Sequence, residues 1–176
     1  MKRNLPIRTL IGFSLTIGAI AMSAKSALAE DRFTCNTEHM TTNVQTERGS
    51  IPLIKWTNRS FPPPYTPEQR CQIVSNRFKK FHNNGTLKYI KAANVNNLPA
   101  LCVAAYVGGE CLPDGLLVTF KPGTDANQTL LKILDRRVWA ANGPVRLSSK
   151  NQPETIISQV NGETYVNIER FLNFNQ

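Results

Sequence analysis

The chain has 176 residues, with 21 Lys and Arg against 12 Asp and Glu, for a formal net charge of +9. A positive balance points to an anionic surface as partner and only weakly to nucleic acid. The length suits one ordinary domain with its own core.

Residues 1–29 carry the three-part pattern of a secretory signal peptide. Lys2, Arg3 and Arg8 form a basic start, residues 9–24 are uncharged, and Ala27-Leu28-Ala29 puts small residues at −1 and −3 of a cut before Glu30. The uncharged run falls short of the roughly 20 residues of a spanning helix, so a cleaved leader is expected rather than an anchor. Cleavage leaves residues 30–176 as a single α+β domain with 17 basic and 12 acidic residues, a net charge of +5.

The segment "CNTEHMTTNVQT" from Cys35 is Thr-rich, and its latter part is a weak strand candidate. "IPLIKW" (residues 51–56) reads as a strand with Pro52 at its start or on an edge. Pro62-Pro63-Pro64 is a rigid lead-in to a helix. Thr66 is the candidate N-cap, Pro67 takes the first helical position, and Gln69 completes a capping box. Cys71, Val74, Phe78 and Phe81 recur at helical spacing, and Asn84-Gly85 ends the helix. "LKYIKA" from Leu87 alternates apolar residues with lysine. "ALCVAAY" from Ala100 and "GLLVTF" from Gly115 are continuously apolar and are expected centrally in a sheet.

After Lys121-Pro122-Gly123 a second helix is expected, capped by Thr124 or Asp125 and stopped at Asn142-Gly143-Pro144. Leu131, Leu134 and Val138 line its apolar face, with Leu130 and Ile133 beside them. "IISQVNGETYVNI" is a hairpin with Asn161-Gly162 in a type I′ turn. The order of elements gives an α+β fold: a mostly antiparallel sheet, two amphipathic helices packed on it, and disulfide bonds.

Four cysteines, Cys35, Cys71, Cys102 and Cys111, fall in the exported part. An even count in an oxidising compartment points to disulfides, and no close C-x₂-C pair suggests zinc. The local pair Cys102–Cys111 closes a loop through Gly108-Gly109, which leaves Cys35 with Cys71. Cys71 and His82 lie about 16 Å apart along the helix, too far for a dyad. There is no nucleophile elbow, glycine-rich phosphate loop, HExxH or EF-hand loop. No catalytic residue, cofactor or metal ligand is therefore assigned. Asn58-Arg59-Ser60 and Asn127-Gln128-Thr129 match the glycosylation triplet and decide nothing by themselves.

Trp56, Phe61 and Tyr65 gather around the prolines, as residues that pack the loop onto the core or line a ligand groove. Arg70 and Arg77 flank the apolar face of the first helix. With Lys79, Lys80, Lys88 and Lys91 they form a locally basic set, the candidate contact with an anionic surface. The alternative is a solvated basic face.

Arg32-Phe33-Thr34-Cys35, "IPLIKW", "YTPEQRCQIVSNRF", the two later cysteines and "LLVTFKPG" together resemble the cyanobacterial circadian oscillating protein family. The resemblance covers nearly all of the exported part. It implies a cyanobacterial, exported, membrane-associated protein of the periplasm or thylakoid lumen. The expected partner is then a membrane surface or a membrane protein complex. The family name describes expression, and no reaction comes with it.

Overall fold

Thr66 starts the first helix as its spacing predicts: its Oγ1 accepts the backbone N–H of Gln69 at 3.2 Å, and Pro67 follows at the first helical position. The computed structural model describes residues 31–47, 49–142 and 156–174. The expected leader, residues 1–29, and the side chain of Val138 lie outside what is described.

In chain order the elements are β1 (Phe33–Asn36), β2 (Thr41–Thr46), β3 (Gly49–Lys55), α1 (Pro67–Asn83), β4 (Tyr89–Val95), β5 (Leu98–Ala104), β6 (Cys111–Thr119), α2 (Ala126–Asn142), β7 (Ile157–Val160), β8 (Glu163–Asn167) and α3 (Ile168–Phe174). The strands form two antiparallel sheets, β1-β2-β3 and β6-β5-β4-β8-β7. The antiparallel α+β architecture is as expected, but the single sheet of the sequence reading is two sheets. A third, short helix follows β8 directly.

Local chemistry accounts for most of these elements. Pro52 lies on β3, an edge strand, beside an irregularity in the register between Thr42 and Asn43, where a missing N–H costs little. Asn161 and Gly162 have φ of 52° and 80°, the left-handed pair that the β7–β8 hairpin requires. Asn96 and Asn97, with φ of 52° and 61°, turn β4 into β5 in the same way, a signal the sequence reading passed over. Asp125 is the cap of α2: its Oδ1 accepts the N–H of Gln128 at 2.9 Å.

The run "GLLVTF", expected centrally, lies at an edge: Gly115 to Thr119 end β6. A continuously apolar run implies burial on both faces but does not say what covers the open edge. Here α1 does. Arg77 reaches from α1 and donates to the Leu117 carbonyl at 3.0 Å.

The core lies between the sheets and helices. Phe33 and Phe78 stack with ring centres 5.0 Å apart, and Val74, Phe81, Leu101, Val166 and Phe171 belong to the same buried cluster. The buried face of α2 is led by Leu130 and Leu134; Leu131 and Ile133 are only partly covered, so the face is turned slightly from the expected one. Cys35–Cys71 ties β1 to α1 and Cys102–Cys111 joins β5 to β6, with Cα separations of 5.5 and 5.6 Å. Both bonds are the pairing expected from the sequence.

One buried hydroxyl links β2, α1 and the residue that follows β3. Thr42 Oγ1 on β2 accepts the indole N–H of Trp56 at 3.0 Å and the hydroxyl of Ser75 on α1 at 3.1 Å.

Candidate functional site

The six basic residues singled out in the sequence do not form one patch. Lys80 and Lys88 are exposed. Lys79 pairs with Asp31 at 2.5 Å, with both side chains well solvated, an arrangement that contributes at most about 1 kcal/mol. Arg70 lies over the rings of Phe61 and Trp56, its guanidinium carbon 3.9 and 4.7 Å from their centres. Burial there lowers its pKa. Arg77 is spent on the edge of β6.

Lys91 corrects the expectation outright. It is 1% exposed and has no access to an anionic surface. The residues between Cys102 and Cys111 fold back over the outer face of β4, and three acceptors receive the ammonium: Glu163 at 2.9 Å, the Gly109 carbonyl at 3.3 Å and Glu110 at 3.4 Å. The hydroxyl of buried Tyr165 lies 3.1 Å from the same carbonyl and 3.0 Å from Glu163. Burial works against the charge on Lys91, but Glu163 and Tyr165 outweigh it, so its pKa is raised. The strand period held a clue. Lys88 and Lys91 are three residues apart, an odd number, and cannot share one face of an extended chain. Nothing local announced that a loop would cover Lys91.

The aromatic cluster divides between the two roles considered for it. Trp56 packs inward, with its N–H satisfied by Thr42. Phe61 carries Arg70 on its ring, while Tyr65 is half exposed. Outside Trp56 and Phe61 runs an open groove of about 870 Å³, rimmed by Lys55, Arg59, His39 and Glu68. Its size falls within the usual range of small-molecule sites. Among the described residues no group of three or more His, Cys, Asp or Glu is placed to hold a metal ion.

Two antiparallel sheets, one tied to a helix and the other closed by a loop through disulfides, define a disulfide-stapled α+β protein. The chain belongs to the family Circadian oscillating protein COP23, whose family model matches residues 32–173. No curated protein matches the chain, and no solved structure does.

Proposed function

We propose that the protein is an exported, non-enzymatic accessory or binding protein that works at the surface of a membrane or of a membrane protein complex, in the periplasm or the thylakoid lumen. The observation that carries this reading is the pairing of all four cysteines, which suits an oxidising compartment. No helix among the described residues is long and apolar enough to cross a membrane. The exported chain begins at Glu30, and its intact mass checks that start.

The surface contact is electrostatic and centres on Lys79, Lys80 and Lys88. Each basic residue well placed near an anionic surface contributes about 1 kcal/mol, and the attraction fades over roughly 8–10 Å at physiological salt. A high-salt wash is expected to release the processed protein from membranes. Lys79→Glu with Lys80→Glu is expected to weaken retention without changing the melting temperature by more than a few degrees. Retention through the wash by wild type and double variant alike overturns the electrostatic contact and favours a tight protein partner.

A second reading follows from the groove beside Trp56 and Phe61, whose volume and mixed polar and aromatic rim suit a small ligand. A thermal-shift screen against soluble metabolites tests it, with Phe61→Ala as the control.

A further inference from the structure

Arg32, His82 and Lys88 surround a pocket of about 260 Å³ on the opposite side of α1 from its N-cap. They come from three places in the chain. Arg32 immediately precedes β1, His82 sits in the last turn of α1, and Lys88 leads into β4. Their main chains are held. The Arg32 carbonyl accepts the N–H of Gln45 at 2.7 Å, and the Lys88 carbonyl accepts that of Ile168 at 3.0 Å. The His82 ring stands edge-on to Phe33, with ring centres 5.7 Å apart. Neither the Arg32 guanidinium nor the Lys88 ammonium has an ion-pair partner among the described residues. An arginine, a lysine and an imidazole therefore share one concave site; the main chains of Arg32 and Lys88 are fixed and their charged ends unpaired among the described residues, while His82 Nδ1 faces the Asn83 side-chain oxygen at 3.4 Å.

The floor of the pocket is apolar, formed by Leu87, Ile168 and Leu172. The end of α1 would ordinarily present bare carbonyls here and repel an anion. In this chain three of the last four carbonyls are occupied: Phe81 accepts from Thr86 and Leu87 at 2.9 and 2.8 Å, Lys80 from Asn84 at 3.2 Å, and His82 from Gly85 at 3.0 Å. One carboxylate, Glu169, also lines the pocket. It opposes an anionic guest and sets an upper limit on affinity.

We propose that this pocket binds the phosphate group of a phosphate ester. Arg32 and Lys88 pair with the phosphate oxygens, the His82 ring walls one side of the site, and the carbon part of the ester lies on the floor of Leu87, Ile168 and Leu172. Arginine suits this role because its planar fork can engage two phosphate oxygens at once, while lysine supplies a compact charge. The ester can be a soluble metabolite or the headgroup of an anionic lipid, and the recognition chemistry is the same.

Calorimetric titration of the processed protein with glycerol 3-phosphate and with inorganic phosphate tests the soluble source. Co-sedimentation with phosphatidylcholine vesicles, with and without phosphatidic acid, tests the lipid source. The expected result is binding in at least one of the two assays that weakens about tenfold or more in Arg32→Ala and in Lys88→Ala, the scale of one lost charge-assisted hydrogen bond. Glu169→Gln is expected to tighten the same binding, which a merely unfolded or loosened protein would not do. Tighter binding of glycerol 3-phosphate than of inorganic phosphate supports the apolar floor, and equal binding removes it from the site. Absence of binding in both assays, or binding indifferent to all three substitutions, overturns the proposal. The titration reads this pocket without any membrane, so its outcome is separate from the salt-wash test of surface attachment.

Discussion

The Lys91 ammonium meets the Glu163 carboxylate at 2.9 Å across the pairing of β4 and β8, in a register that sets Lys91 opposite Tyr165. The two partners are unequal. The Lys91 side chain is 2% exposed and that of Glu163 is 38% exposed. Losing the Glu163 carboxylate leaves a buried cation with only the Gly109 carbonyl and the solvated Glu110 as acceptors, whereas losing the amine leaves a carboxylate that water can reach. Glu163→Gln is expected to destabilise the fold by about 1–3 kcal/mol, and Lys91→Met by less. Urea unfolding of the two variants gives the order, and a reversed order refutes the account.

The same cluster sets a pH dependence at the alkaline end. The Lys91 pKa is raised from 10.5, and burial first, then Glu163, raise that of Tyr165 from 10.0, against the pull of Lys91. A group whose value is raised in the fold contributes its full stabilisation below the unfolded value and loses it as pH climbs through the folded one. These two residues therefore leave stability level between about pH 7 and about pH 9 and reduce it above about pH 10. Unfolding midpoints across that range check the slope, which Lys91→Met is expected to flatten.

The two disulfides are expected to differ in worth. Cys35–Cys71 spans 36 residues and Cys102–Cys111 spans 9. The chain-entropy model assigns them about 4 and about 2.5 kcal/mol. Cys35→Ser with Cys71→Ser therefore costs more in denaturant. Cys102→Ser with Cys111→Ser acts locally, freeing the cover of Lys91, and amide exchange at Gly108 and Gly109 is expected to rise most.

Replacing Thr42 with valine keeps shape and burial but removes the acceptor shared by Trp56 and Ser75. Two donors then lie unsatisfied away from water. The expected loss is about 1–3 kcal/mol, with a shift in tryptophan emission as the indole N–H loses its partner. A Thr42→Ser variant keeps the hydroxyl and is expected to recover most of the loss.

What the sequence disclosed and what it withheld divide along the range of the forces involved. The Thr66 cap, the Asn161-Gly162 turn and the loop between Cys102 and Cys111 are decided by neighbours within a few residues, and each was legible. The split into two sheets was not, because strand patterns say which face is buried and not which strand is the neighbour. Lys91 misled for a related reason: a lysine in a strand reads as solvated until a distant loop supplies its acceptors. Arg77 was legible as a residue flanking the apolar face of α1. Its acceptor, the Leu117 carbonyl 40 residues away, was not. Arg32 entered only within the stretch that carries the family resemblance, since its nearness to His82 and Lys88 exists only after folding.

The treatment of β6 bears on how copies of this molecule stay apart. An open edge strand offers its ladder to any passing chain, and exposed, regular edges seed aggregates. Along β6, Pro113 offers no N–H, and Asp114 takes a φ of 57°, outside strand geometry. Gly115 permits a bend so tight that a Cβ there would meet the Leu112 carbonyl at 2.7 Å. Farther along, Arg77 already occupies the Leu117 carbonyl. A stranger's strand approaching this edge finds a missing donor, a kink and an acceptor already taken, so the border of the larger sheet is poorly suited to extending it into a fibre.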